Sequence, residues 1–348
     1  MADSKSHSNS PLPDVTPPPE MQVVQMALGG FVTRALYALA ELGIADHFEN
    51  GPLSAEDIAR ATNTHAPFLY RLLRNMTGFG FFIEDENHRF SLTPMGATLQ
   101  SRLGYVRSSV RTLAGSTVWR SLDEIVHSIE TGEACVKKAF KKPYFDHLRE
   151  NPKELSLFNE TMIGIHGDEP PAIAQCCDFS ETRRLIDIGG GTGSLLAEIL
   201  RENPKLDGVL YELPEVADEA RRNIAAEGLT KRCKVVEGDF FRSCPTGGDA
   251  YILSHIIHDW DEEKCLRILE NCHTAMQGRG RLLIIEQIIP PDNSFHPGKV
   301  LDLIMLTMHS GQERTQDEYA ALLKKASFQL ERTISTTTPA SVMEAFPV

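Results

Sequence analysis

The sequence predicts an α/β protein: a doubly wound parallel sheet preceded by a mostly helical winged-helix module. From Arg184 onward, short apolar runs alternate with helical stretches, as buried parallel strands alternate with their crossover helices. Between residues 45 and 95, two short helices joined by a polar turn precede two short strand-like segments. The 348 residues exceed the roughly 100–200 of an ordinary domain, so two domains are expected.

The elements follow in order. Residues 1–20 are rich in Ser and Pro and end in Pro17, Pro18 and Pro19, a composition that buries too little apolar surface to offset ordering entropy. A disordered tail is expected there. Val24, Leu28, Phe31, Leu36, Leu39 and Leu42 then recur near helical spacing from Met21 until Gly43, predicting a long amphipathic helix. Ser54, with Asp57 three residues on, opens a short helix, Asn63 to Pro67 turns the chain, and Phe68, Leu69, Leu72 and Leu73 stripe a second helix. Phe81 to Ile83 and Arg89 to Leu92 read as strands around the polar turn Glu84 to His88. The winged-helix outline suggests DNA binding, but residues 45–95 hold Arg60, Arg71, Arg74 and Arg89 against seven acids, the wrong sign for a phosphate-neutralising surface. Residues 21–115 are therefore expected to pack or dimerise. Residues 116–180 read as a helical bridge, with interruptions at Gly132, Pro143 and Pro152. In residues 181–348 the predicted strands are Leu185 to Ile188, Gly208 to Tyr211, Cys233 to Val236, Ala250 to Leu253 and Arg281 to Ile285.

Composition narrows the function classes. Lys and Arg number 35 against 48 Asp and Glu, for a net charge of −13, which repels nucleic acid and anionic lipid over most of the surface. The seven cysteines are odd in number and include no CxxC pair, which points to a reducing compartment. No uninterrupted apolar run reaches the roughly 18 residues of a membrane span, and the first twenty residues lack a signal-type apolar core. The expectation is a cytoplasmic enzyme with neither nucleic acid nor membrane as a partner.

The chemistry sits at predicted strand ends. Asp187-Ile188-Gly189-Gly190-Gly191-Thr192-Gly193 follows the first strand of the sheet and opens a helix, where doubly wound folds bind ligands. Ser194 stands where a dinucleotide fingerprint needs its third glycine, which disfavours a nicotinamide dehydrogenase. Glu212 ends the next strand, placing a carboxylate within reach of ribose hydroxyls. Gly238-Asp239-Phe240-Phe241 leaves the third with an acid for an amine edge beside rings that can pack on adenine. In this order the three describe an adenosine site without a pyrophosphate. At the fourth strand's end, Ser254-His255-Ile256-Ile257-His258-Asp259-Trp260 brings an imidazole to the same edge.

These motifs, with Tyr211-Glu212-Leu213-Pro214 and Gly311-Gln312-Glu313-Arg314-Thr315, resemble the plant caffeic-acid and flavonoid type of S-adenosylmethionine-dependent O-methyltransferases and their bacterial and fungal secondary-metabolism relatives. The resemblance runs from Met21 to the C-terminus and implies a Rossmann-like methyltransferase sheet with an N-terminal winged-helix dimerisation domain, hence a homodimer. It implies that His258 is the general base, flanked by Glu286 and Glu313. An imidazole of ordinary pKa near 6.5 can take a phenolic proton, and neighbouring carboxylates fix its tautomer. S-adenosylmethionine would be held by Asp187, Gly189, Gly191, Gly193, Glu212, Leu213, Gly238, Asp239, Phe240, Ser254 and Trp260. A small aromatic acceptor would lie among Phe158, Met162, Asp259, Met305 and His309.

Two departures from the plant pattern bear on function. Ser254 stands where many plant members carry Lys, and Glu212 replaces the more usual Asp. His255 and His258 also have a metal-like spacing, which Glu286 or Glu313 could complete, but residues three apart on a strand would point to opposite faces. No metal is therefore expected. N-methylation by a divergent member of the same family, and a metabolite-sensing winged-helix regulator, remain the alternatives.

Overall fold

The computed structural model describes residues 17–348, so most of the expected tail lies outside the described residues. The chain divides into two compact units, one reaching to Ala114 and one from Gly115 to Val348.

In the first unit a helix spans Pro19–Glu41. It begins two residues before the predicted start, inside the segment expected to be disordered, because a proline at the first helical position loses no hydrogen bond and has its φ preset. Only Leu39 and Ala40 of this helix are buried, while Met26 is 80% and Phe31 76% exposed. By length and composition the helix could cross a membrane, with a mean hydropathy of 1.4 over its best window, although polar residues interrupt the apolar run. A 3₁₀ segment, Ile44–Asn50, follows. Strand β1 (Leu53–Ser54) leads into the helix Ala55–Thr62, whose first turn is capped by the Ser54 hydroxyl accepting from the Asp57 N–H at 3.2 Å. After the helix Ala66–Gly78, strands β2 (Phe82–Glu84) and β3 (Arg89–Leu92) complete an antiparallel sheet in the order β1-β3-β2. Leu39, Ile44, Ile58, Leu73 and Phe90 form the core of this unit.

The second unit opens with short helices that Gly132, Pro143 and Pro152 punctuate as expected. Gly132 ends the helix Ile125–Thr131, Pro143 precedes Tyr144–Glu150, and Pro152 begins Pro152–Ile165. The sheet comprises β4 (Arg184–Ile188), β5 (Asp207–Glu212), β6 (Cys233–Glu237), β7 (Ala250–Ser254), β8 (Arg281–Gln287), β9 (Phe328–Ser335) and β10 (Ala340–Pro347), ordered β6-β5-β4-β7-β8-β10-β9. The strands β4 to β8 run parallel, and the order reverses between β4 and β7, opening a crevice beyond their carboxyl ends. The sheet carries one antiparallel strand, β10, which pairs antiparallel with both β8 and β9. The parallel strands β4, β7 and β8 are buried on both faces and therefore read as apolar runs, whereas β9 carries Glu331 and Arg332 among half-exposed positions and gives no such run.

Candidate active site

Each parallel strand delivers its motif to the carboxyl edge. Gly189, Gly191 and Gly193 all take positive φ, between 57° and 82°, as a loop that must turn sharply into the helix Ser194–Glu202 requires. A Cβ at Gly191 would meet nothing within 4 Å, so that face of the loop is open. Glu212 closes onto the loop: one carboxylate oxygen accepts from the Gly191 N–H at 2.8 Å and the other from the Leu213 N–H at 2.7 Å. Since a carboxylate has about four acceptor sites, each oxygen keeps one for a ligand hydroxyl. Burial pushes the Glu212 carboxyl above its usual range. Asp187 lies beneath the loop, 1% exposed, with both carboxylate oxygens buried and without hydrogen bonds; burial and then the Glu212 charge raise it to about 7. It therefore underlies the loop, with the Gly190 position against its carboxylate.

Past β6, Gly238 leads to Asp239, whose Oδ1 accepts from the Phe241 N–H at 2.9 Å. Phe240, Phe241 and Trp260 form an aromatic wall, with ring centroids 4.8 Å apart for Phe240–Phe241 and 4.9 Å for Phe241–Trp260. Ser254 ends β7 half-buried, and the Leu213 side chain is exposed at the cap of the helix Pro214–Ala226.

The second half of the site assembles around His258, on the 3₁₀ turn Ile257–Asp259. Its Nδ1 stands 2.7 Å from Glu313 Oε1 and 3.5 Å from Glu286 Oε2. In the neutral imidazole the Glu313 contact makes Nδ1 the protonated nitrogen and leaves Nε2 as the acceptor, with Asp259 Oδ1 at 3.7 Å. Glu286 fixes the backbone of the turn as well, since its Oε1 accepts from the N–H groups of Ile257 and His258 at 2.9 and 3.2 Å. Glu286 Oε2 and Glu313 Oε2 are buried without hydrogen bonds. Burial alone would lower the His258 pKa, but the Glu286 charge, the Glu313 hydrogen bond and the Asp259 charge outweigh it and raise it to about 10. Glu286, wholly buried, is pushed up to about 7 chiefly by desolvation.

Next to this base is a ring cluster. His309 lies 5.4 Å from the Tyr144 ring and 5.1 Å from that of Phe145, and Phe158 joins at 5.8 and 6.2 Å from the same two. His309 Nδ1 is 3.8 Å from Asp259 Oδ1, which links the cluster to the His258 turn. Met305 is buried one turn before His309, whose N–H reaches the Met305 carbonyl, and Met162 lies half-buried one turn after Phe158. Tyr144 and Phe145 carried no motif and were missed.

The expected placement of His255 and His258 on opposite faces of a strand is not what the structure shows. His255 and His258 do not alternate along a strand: β7 ends at Ser254, His255 takes a φ of +52°, and the two rings stand 5.5 Å apart. Donor atoms of His255, His258 and Glu286 all fall within 4.8 Å of one another, as do those of His166, Glu169 and His255. Glu169 and His166 were also missed, since a His and an acid three apart before a helix is too common to single out.

Gly311, seen only as part of a motif, has a steric role. A Cβ there would overlap the His258 carbonyl oxygen and the backbone from Asp259 to Trp260. That close approach brings the Glu313 loop onto the His258 turn, and Asp302 steadies it by accepting from the Glu313 N–H at 2.8 Å.

Comparison with known proteins places this geometry. An O-methyltransferase domain family matches residues 119–329, and an O-methyltransferase dimerisation domain matches residues 24–102. The phenazine O-methyltransferase of Lysobacter antibioticus is 39% identical over 326 residues, covering 94% of this chain and 96% of that protein. An 8-amino-8-demethylriboflavin N,N-dimethyltransferase of Streptomyces davaonensis is 35% identical over 306 residues, 86% of this chain and 87% of that one. An O-methyltransferase of neocarzinostatin biosynthesis, solved with S-adenosylmethionine and 2-hydroxy-5-methyl naphthoic acid, superposes with a TM-score of 0.81 at 30% identity, over 91% of this chain and 96% of its own. The chain belongs to the S-adenosylmethionine-dependent O-methyltransferase family.

Proposed function

We propose that the chain methylates a phenolic hydroxyl on a small aromatic or polyketide-like metabolite, with His258 as general base. The observation that carries this reading is the His258 imidazole, whose Nδ1 is held by Glu313 at 2.7 Å while its Nε2 is left for the acceptor's proton beside a cluster of aromatic rings.

The residues fit S-adenosylmethionine on their own chemistry: an open glycine loop, a carboxylate with spare acceptor sites, and an aromatic wall at the next strand exits. When bound, the cofactor supplies a methyl group on an electrophilic sulfonium. Glu212 would hold the ribose hydroxyls, Asp239 and Phe240 the adenine, and Trp260 its flank. Gly189, Gly191, Gly193, Leu213, Gly238 and Ser254 would line the rest of that path, with Asp187 supporting the loop from beneath. Phe158, Met162, Met305, His309 and Asp259 would present the acceptor oxygen to His258 Nε2. Glu286 and Glu313 orient the imidazole and stabilise its protonated form. A phenol with a pKa near 10 is mostly protonated at neutral pH, so proton removal as the bond forms is the step in which the protein acts.

Dimerisation is proposed through residues 21–115. The apolar, exposed face of Pro19–Glu41 within a matched dimerisation domain supports a second copy of the chain as its cover. Seven cysteines without disulfide partners support a cytoplasmic setting.

N-methylation is the second reading, favoured by the similarity to the riboflavin-analogue dimethyltransferase. A screen of phenols, quinols, aromatic acids and aryl amines with methyl-labelled S-adenosylmethionine separates the two. Label on a phenolic oxygen supports the first reading, and label only on nitrogen replaces it with the second.

A further inference from the structure

Base catalysis leaves several ionisable side chains beside His258 unused. His255 Nε2 lies 2.6 Å from Glu169 Oε2, and Glu169 is 5% exposed at the start of the helix Glu169–Cys176. His166 Nδ1 approaches the same oxygen at 3.2 Å, with its ring 4.1 Å from that of His255 and its side chain 29% exposed. The other nitrogen of His255 is 3.8 Å from Glu286 Oε2, the oxygen that lacks a hydrogen bond and stands 3.5 Å from His258 Nδ1. Imidazoles and carboxylates therefore alternate from His258 to a half-buried histidine, joined by one hydrogen bond of 2.6 Å and three contacts of 3.2, 3.5 and 3.8 Å.

We propose that Glu286, His255, Glu169 and His166 form a relay that carries the acceptor's proton from His258 to solvent. The proposal rests on the hydroxyl-acceptor reading above. As the new O–CH₃ bond forms and the S–CH₃ bond breaks, the S–C electron pair stays on sulfur and the hydroxyl proton passes to His258 Nε2. The resulting imidazolium gives its Nδ1 proton to Glu286 Oε2, which passes a proton to His255 Nδ1. His255 then releases its Nε2 proton to Glu169 Oε2, Glu169 passes one to His166 Nδ1, and His166 gives its Nε2 proton to water. One proton enters and one leaves, and every relay group ends with the charge it began with. The 3.5 and 3.8 Å gaps and the 3.2 Å contact of His166 Nδ1 are too short to admit a water and would close by small side-chain rotations.

Two further features single these groups out. A carboxylate as buried as Glu169 is costly unless paired, and the 2.6 Å hydrogen bond to His255 pairs it. His255 also keeps a positive φ without being glycine, an uncommon conformation that turns its ring between the two carboxylates. A metal fits the spacing less well. Ligands on a tetrahedral zinc at 2.0–2.1 Å stand about 3.3 Å apart, whereas 2.6 Å between His255 and Glu169 is the length of a shared proton.

The test is a single turnover of the full-length enzyme with S-adenosylmethionine and the phenolic acceptor found in the screen, in weak buffer with a pH indicator. Product formation and proton release are followed together. In the wild type the two traces should coincide. In His255→Phe and Glu169→Gln, both retaining His258, proton release should lag product by about tenfold or more, with multiple-turnover kcat lowered to match. Added imidazole should abolish the lag, a rescue that general structural damage would not show. Coincident traces in both variants overturn the relay, as does loss of the single turnover without imidazole rescue. So does inactivation by a chelator with recovery on zinc, which would make the cluster a metal site. Failure of the acceptor reading would show separately, as no phenol methylated by the wild type.

Discussion

The proposed cofactor half and the proposed proton-handling half share one sheet edge but are assembled differently. At the carboxyl ends of β4, β5 and β6, each strand contributes one short stretch, and the polar contacts run from carboxylates to backbone N–H groups: Glu212 to Gly191 and Leu213, Asp239 to Phe241. Beyond β7 and β8, Glu169, His255, His258, Glu286 and Glu313 converge from separate segments and interact side chain to side chain. Contacts to backbone act one at a time, so their loss should be local. A buried network of charges is coupled, and its members should respond non-additively. Binding and proton transfer should therefore come apart on mutation.

The sharpest test of that separation is His258→Ala. It should lower kcat by roughly 10²–10⁴ while the affinity for S-adenosylmethionine, measured by calorimetry, stays nearly constant. A parallel loss of cofactor affinity would mean the halves are one unit. The converse variant is Glu212→Ala, which should weaken both S-adenosylmethionine and its demethylated product by about 10–100-fold, at about 1.5–3 kcal/mol for hydrogen bonds to a charged group. Its kcat at saturating cofactor should change little. Preferential binding of NAD by the wild type would break the assignment of this half altogether.

Gly311→Ala asks whether backbone approach, rather than charge alone, builds the proton half. The added Cβ must push the Glu313 loop away from His258, so kcat should drop by about tenfold at a stability cost of about 1–3 kcal/mol, read by thermal melting. Unchanged turnover would show that Glu313 finds His258 without that contact. The smallest expected effect is on the pH profile. Because the His258 pKa in the free enzyme is raised to about 10, the base is mostly protonated at neutral pH, and kcat/KM should climb as pH rises toward that value. Glu313→Gln removes a charge that favours the imidazolium, so the limb should move to lower pH; a limb that stays in place would remove Glu313 from the network.

Legibility in the sequence follows the same division. Strand β7 was recognisable because a strand buried on both faces reads as an apolar run, and Glu212 because its motif follows such a strand directly. His258, Glu286 and Glu313 came from the family resemblance, since an isolated histidine or acid has no local signature of function. β9 escaped because its largely exposed positions mix polar with apolar residues, and β10 because its buried run is interrupted by Ser341 and by Glu344, which is paired with Arg281 and Arg332.

By itself the sequence determined the five parallel strands and the places of the glycine loop, Glu212 and Asp239 at their ends, because hydrophobic period, capping and turn chemistry are short-range and written into neighbouring residues. Only the tertiary structure decided that Glu169 meets His255, that the two histidines of β7's exit share a face, and that Gly311 presses on the His258 carbonyl. Those contacts join segments far apart in the chain, and their energies come from burial and from charges a few ångströms away, quantities that exist only once the chain has folded.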